Sequence, residues 1–258
     1  MNQPRVYLLD VEGTVAPLTV TSEVLFPYAR AHFGDFLAMH YEDAGVRADL
    51  ALLKEENHDE TAPDVPPIAA SCRRTASGEP GFVRGSLEYL LWLMDRDRKS
   101  TALKSLQGKI WKAGFENGEL KGTLFADVPA AFERWSKTGR VAIYSSGSVE
   151  AQKLFFRYSS RGDLTPTISR YFDTRTGPKQ TSDSYLAIAA EMQAAPGEVL
   201  FFSDAVKELD AAREAGCQTR LAIRPGNAPL ENSHGHAMIR SFEEAAEDEL
   251  AGEQGGRL

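Results

Sequence analysis

Apolar residues along this chain fall into two patterns. The first is a set of short unbroken runs, Val6-Tyr7-Leu8-Leu9, Val141-Ala142-Ile143-Tyr144 and Val199-Leu200-Phe201-Phe202. Runs of this length, apolar at every position and bounded by polar residues, predict parallel strands buried on both faces. Thr219 to Ile223 predicts a last strand. Helical stretches separate them: one from Asp127, with Pro129 in its first turn and Asp127 as its cap, one from about Val149 to Tyr158, one from Ser182 to about Gln193, and one from Glu208 to Ala215 stopped by Gly216. Strands alternating with helices predict a parallel sheet with right-handed crossovers.

The second pattern occupies about Thr21 to Phe115, where strand-like runs vanish and apolar residues recur at three- and four-residue steps. Leu25, Tyr28, Ala29, Phe33 and Phe36 form one stripe, with Ser22 placed to cap it. Leu87, Leu90, Leu91 and Met94 form a second, and Leu103, Leu106, Ile110 and Trp111 a third. Asn57 to Gly81 is interrupted by Pro63, Pro66, Pro67 and Pro80, with a short helix expected in Ile68 to Thr75. The expected organisation is an α/β core of residues 1–18 and 120–258, with a helical cap of residues 19–119 inserted after the first strand. Loops at strand ends carry function, and an insertion there is suited to closing over substrate.

The chain has 258 residues and is 42% hydrophobic, enough for a sizeable core. Its net charge of −8 argues against a general binder of nucleic acid or anionic membrane. A phosphorylated metabolite stays open, because a bound cation and one or two lysines can reverse the sign locally. Cys72 and Cys217 lack metal or redox spacing and read as reduced thiols. No segment reaches the roughly 20 apolar residues that cross a bilayer, and the first apolar run ends at Asp10, unlike a signal peptide. A soluble cytoplasmic protein is expected. The polar tail after about Glu247 is expected to be loosely ordered.

What changes the picture is how the strand-like runs end. The first ends at Asp10, with Glu12-Gly13-Thr14 following; the second ends at Ser145-Ser146-Gly147-Ser148; the third ends at Ser203-Asp204; and Lys179 lies in a loop before a helix. Ligands of open α/β sheets bind beyond the carboxyl ends of the strands. Singly, each residue reads as a turn or surface residue. Jointly they supply what phosphoryl transfer through an aspartyl phosphate needs: carboxylates for Mg²⁺, one of them a nucleophile, and a hydroxyl and an ammonium for the equatorial oxygens.

This motif order resembles the haloacid dehalogenase superfamily, which implies a Rossmann-like parallel-sheet core with an inserted α-helical cap. Within it, Leu9-Asp10-Val11-Glu12-Gly13-Thr14, Leu25-Phe26-Pro27-Tyr28, Leu106-Gln107-Gly108-Lys109-Ile110-Trp111, Phe125-Ala126-Asp127-Val128, the run from Tyr144 to Leu154 and Ile223-Arg224-Pro225-Gly226-Asn227 are similar to the enolase-phosphatase (acireductone synthase) family of methionine salvage. The resemblance implies conversion of 2,3-diketo-5-methylthiopentyl 1-phosphate to the acireductone 1,2-dihydroxy-3-keto-5-methylthiopentene plus phosphate. It implies Asp10 as nucleophile and ligand of one Mg²⁺ per chain, Glu12 as a further contact through its main-chain carbonyl, and Asp204 as the remaining ligand. Ser145, Ser146 and Lys179 would bind substrate, with Lys179 screening the phosphate from Asp10. The chain is expected to act as a monomer on a small phosphorylated diketone.

Glu12 departs from the Asp that most superfamily phosphatases carry there. Being one methylene longer, it is a candidate for moving the enolisation proton, or simply orders the site by hydrogen bonds. Trp111 and Phe115 are candidates for an apolar wall around the methylthio end, or are core. His32, His40, His58, His234 and His236 lack paired spacing and read as surface or packing residues. Glu208 either supports Asp204 or faces solvent. Two other readings stand beside the first: another capped phosphatase or phosphomutase of the superfamily, and a catalytically silent interaction protein.

Overall fold

The computed structural model describes residues 4–68, 80–229 and 235–245. The chain divides into two compact units, Met1–Thr21 with Gly118–Leu258, and Ser22–Asn117.

The first unit is built on a six-stranded parallel sheet. Its strands are β1 (Val6–Leu9), β2 (Arg140–Tyr144), β3 (Ile168–Phe172), β4 (Val199–Ser203), β5 (Gln218–Ala222) and β6 (Ala237–Ile239), in the order β3-β2-β1-β4-β5-β6. β1 lies in the middle, and the chain works outward from it first through β2 and β3, then through β4, β5 and β6. The point where that direction reverses, between β1 and β4, is where such sheets open a crevice.

Alternate residues of β1 face opposite layers. Val6 and Leu8 join one apolar core with Tyr185, Ile188, Leu209 and Ala212 from helices α7 (Ser182–Glu191) and α8 (Val206–Glu214). Tyr7 faces the other way and stacks on Trp135 of α5 (Val128–Thr138), with ring centroids 4.8 Å apart. Phe202 and Phe242 complete that aromatic layer around Trp135, at 5.1 and 5.2 Å. Phe132 of α5 meets Phe156 of α6 (Val149–Arg157) beside it.

The second unit holds α1 (Phe26–His40), α2 (Ala44–Asp59), α3 (Gly81–Asp95) and α4 (Thr101–Glu116). Glu56 of α2 accepts the N–H of Thr101 at 3.0 Å and so caps α4 from outside. Ser100 caps the same helix from within, its Oγ 2.9 Å from the Leu103 N–H. Lys109 of α4 is bonded to Asp49 of α2.

Several elements differ from the sequence expectation. β3 and β6 are additional strands, so Thr219–Ile223 is not the last. Both stand at sheet edges, where Ser169, Arg170 and Met238 are exposed and the apolar run is broken. Asp127 precedes α5 but makes no side-chain cap; its carboxylate instead accepts from Arg224 at 2.8 Å and from the Phe242 N–H at 2.7 Å. Ser22 does not cap α1 either, because a π-helical turn over Val20–Leu25 precedes it. On α3 the buried face is Val83, Ser86, Tyr89, Leu90 and Leu93, with Leu87, Leu91 and Met94 half-buried, since α3 packs on both α1 and α2. The helix expected in Ile68 to Thr75, Cys72, His234 and the tail after Glu247 lie outside the described residues, Ile68 itself excepted.

Candidate active site

Asp10 is the residue that follows β1. Its N–H donates to the Phe202 carbonyl at 3.0 Å, and its carboxylate is buried. The register pairs Leu9 with Ile143 on one side and Phe202 on the other. Ser145, which follows β2, and Asp204, which follows β4, therefore reach the same carboxyl edge as Asp10.

The loop beyond Asp10 turns tightly. The Val11 carbonyl accepts the N–H groups of Thr14, Val15 and Ala16 at 3.3, 3.0 and 2.9 Å. Gly13 sits at φ +68°, a conformation open to glycine at no steric cost. The Asp204 carboxylate rests on it so closely that a Cβ added there would lie 2.3 Å from Asp204 Oδ2.

Lys179 arrives from the loop between β3 and α7. Three successive carbonyls of that loop accept hydroxyls: Gly177 from Tyr144 at 2.9 Å, Pro178 from Ser184 at 2.7 Å, and Lys179 from Tyr185 at 2.7 Å. The buried ammonium then lies 2.6 Å from Asp10 Oδ1 and 2.7 Å from Glu208 Oε2. Burial alone would lower its pKa, but Asp10 and Glu208 outweigh that and hold it above the ordinary lysine value.

Two carboxylates thus pair with one ammonium, and two more, Asp204 and Glu12, feel its charge. Burial pushes the Asp204 carboxyl up to about 7, with Asp10 and Glu208 adding and Lys179 opposing. Glu208 is raised by burial and by Asp10. Glu12, bonded to Thr21, is raised by burial first and by Asp10 second. A half-buried site that disfavours its own anions in this way suits a divalent cation.

The backbone supports the same fit. The Gly13, Thr14 and Val15 carbonyls accept from Asn227 Nδ2, Arg224 Nε and the Phe125 N–H at 2.9, 2.9 and 3.0 Å. Among the described residues no three His, Cys, Asp or Glu side chains group around a metal position. The donor set on offer is two carboxylates and one carbonyl, with water completing the shell, which is how Mg²⁺ is commonly held.

A family model for haloacid dehalogenase-like hydrolases matches residues 4–216. Enolase-phosphatase E1 of Synechococcus elongatus is 52% identical over 238 residues, covering 92% of this chain and 95% of the relative. Enolase-phosphatase E1 of Danio rerio is 40% identical, covering 92% and 93%. The chain belongs to the enolase-phosphatase E1 family. The crystal structure of the UTR4 protein of Saccharomyces cerevisiae superposes with a TM-score of 0.75 at 34% identity, covering 93% of this chain and 99% of that one.

In this family member Lys179 pairs directly with Asp10, while Glu12 and Asp204 lie close enough to feel the charge of both. Ser145 and Ser146 share their edge by register. Ser145 Oγ accepts the Gly147 N–H at 3.2 Å, and Gln152 Nε2 donates to the Gly147 and Phe172 carbonyls at 2.8 and 2.9 Å, so the serine loop is pinned. Glu208 does not merely face solvent: it is the second anion on Lys179 and accepts from Ser203 Oγ at 3.1 Å. Its signal in the sequence was an acid four residues after Asp204 in the first turn of a helix.

Trp111 and Phe115 are buried within the helical unit, and the Trp111 indole donates to the Leu25 carbonyl at 2.8 Å. His32 Nδ1 meets the Tyr28 carbonyl, and His40 meets Asp43. His236 is buried between Thr219 and Asp210. Cys217 is buried with its thiol pushed up to about 12. No helix among the described residues is long and apolar enough to cross a membrane.

Proposed function

We propose that this chain is a Mg²⁺-dependent enolase-phosphatase converting 2,3-diketo-5-methylthiopentyl 1-phosphate to the acireductone 1,2-dihydroxy-3-keto-5-methylthiopentene and phosphate. The observation that carries the reading is Lys179 Nζ on Asp10 Oδ1 inside an excess of half-buried carboxylates. The E1 relatives, alike over nearly their whole length, support the enolase-phosphatase reading.

Asp10, Asp204 and the Glu12 carbonyl would hold the Mg²⁺, which when bound neutralises the carboxylates and polarises phosphoryl and carbonyl oxygens. Asp10 attacks phosphorus as the bond between phosphorus and the oxygen on the substrate's first carbon breaks, giving an aspartyl phosphate while that oxygen leaves with the bonding pair as the acireductone anion. Lys179 screens Asp10 from the phosphate charge and binds an equatorial oxygen, with Ser145 and Ser146 binding others. Water then attacks phosphorus as the bond from phosphorus to the Asp10 oxygen breaks, so that Asp10 departs as a carboxylate and the water's proton passes to the acireductone anion or stays on the released phosphate.

Glu12 is read as the proton carrier. A carboxyl raised by burial holds a proton nearer neutral pH than an exposed glutamate does. It would move a proton from the carbon next to the diketone to the carbonyl oxygen in enolisation. Residues 19–119 are read as the cap because the chain leaves the core after Thr21 and returns at Gly118, in the connection that leaves β1. The net charge of −8 supports a small-molecule substrate over nucleic acid. We read the chain as a cytoplasmic monomer, which gel filtration of the purified protein tests.

The deciding assay supplies the diketo phosphate with Mg²⁺ or with chelator, and follows acireductone by ultraviolet absorbance and phosphate separately. Both products should appear together and stop with chelator. Phosphate without acireductone would leave a phosphatase of another substrate.

A further inference from the structure

The turn after β5 reaches back to the loop that carries the nucleophile. Arg224 Nε donates to the Thr14 carbonyl at 2.9 Å, and Asn227 Nδ2 donates to the adjacent Gly13 carbonyl at 2.9 Å. Asn227 Nδ2 also donates to the Ala222 carbonyl at 3.1 Å, tying that grip to the end of β5. Arg224 is buried, anchored by Nη1 on Asp127 and the Arg240 carbonyl, and sandwiched by the Phe125 and Phe242 rings at 4.9 and 4.3 Å. The brace is therefore rigid at its root.

Its effect falls on backbone that the chemistry needs. The Val11, Gly13, Thr14 and Val15 carbonyls are all taken by protein donors, which fixes the path of the loop on either side of Glu12. Asn227 Oδ1 is buried and without a hydrogen-bond partner among the described residues, and it lies 3.1 Å from the position a Gly13 Cβ would take. Asp204 Oδ2 lies 2.3 Å from that same position. An orphan acceptor beside a metal-type carboxylate is a place for a water of the cation's shell.

We propose that Arg224 and Asn227 are positioning residues for the phosphoryl-transfer site. They hold the Gly13 and Thr14 carbonyls so that Asp10 and the Glu12 carbonyl face one cation, and Asn227 Oδ1 accepts from a water bound to it. This rests on the Mg²⁺ reading above. Neither residue touches the reacting atoms.

Asn227 is the testable half, because removing the buried Arg224 would strand Asp127 and risk the fold. In Asn227→Ala, Mg²⁺ affinity measured by calorimetry without substrate should fall about tenfold, the usual effect of losing an outer-shell partner. The kcat should fall by a similar factor with KM within about twofold. Asn227→Asp keeps the shape but has only acceptors at neutral pH, and its kcat should fall likewise. Parental Mg²⁺ affinity in Asn227→Ala, or parental kcat in Asn227→Asp with the melting temperature unchanged, overturns the brace. If the parent chain fails to turn over the diketo phosphate, the functional reading falls while the calorimetric arm still decides the brace.

Discussion

Lys179 Nζ stands 2.6 Å from Asp10 Oδ1 and 2.7 Å from Glu208 Oε2, one ammonium holding a buried and a half-buried carboxylate that would otherwise repel each other. Its removal takes away the charge that opposes the raised pKa values of Glu12, Asp204 and Glu208. In Lys179→Met, kcat should drop about 10²-fold or more, as for the loss of one oxyanion donor. Breaking a buried pair costs about 3–5 kcal/mol where the partner stays charged. Carboxyl pKa values raised in the fold confer stability below their unfolded values, and that stability is lost as pH rises through the folded ones. Chemical denaturation of the variant should thus show its largest deficit at pH 7 to 8 and a smaller one near pH 5. An equal deficit at both pH values would refute the charge argument.

Gly13 and Asp204 make the second test. Gly13→Ala must accept a left-handed φ of +68° and a methyl 2.3 Å from Asp204 Oδ2. The backbone cost is about 1–2 kcal/mol, and the carboxylate must also move. Mg²⁺ affinity should fall further than thermal stability does. Calorimetry giving parental Mg²⁺ binding in this variant would show that Asp204 is not needed where it now lies.

How far the sequence disclosed this arrangement can be read from single residues. Asp10, Ser145 and Asp204 were visible because each ends an apolar run, and the ends of parallel strands are where such sheets bind ligands. β3 and β6 were hidden because an edge strand exposes half its residues, so Ser169 and Arg170 break the run that marks a buried strand. Asp127 looks like a helix cap, and only the fold brings Arg224 across 97 positions to claim it. The Lys179 loop gave no hint of its three hydroxyl donors, since Tyr144, Ser184 and Tyr185 meet it only after β2 and α7 are packed.

Asp204 supplies a pH signature. In the metal-free protein its carboxyl is pushed up to about 7, so below that pH the cation must displace a proton. Apparent Mg²⁺ affinity should fall about tenfold from pH 8 to pH 6, following the ionised fraction of one such group. Asp204→Asn should bind weakly at both and lose this dependence. A parental chain with pH-independent Mg²⁺ binding over that range would remove Asp204 from the ligand set.

Glu208 gives the sharpest separation of roles, because it acts on Asp204 and Lys179 without being assigned to the metal. Its charge is one of the causes that raise Asp204, after burial and Asp10. Glu208→Gln keeps an acceptor for Lys179 and for Ser203 Oγ but deletes that charge. Asp204 should then ionise at lower pH, and the midpoint of the Mg²⁺ affinity profile should move below 7. At pH 8, where Asp204 is ionised in both proteins, the variant should bind Mg²⁺ more weakly, having lost one nearby anion. The two effects have opposite signs at low and high pH, so the curves should converge on acidification. A midpoint that stays in place, or a uniform loss across the range, would mean that Glu208 serves Lys179 alone.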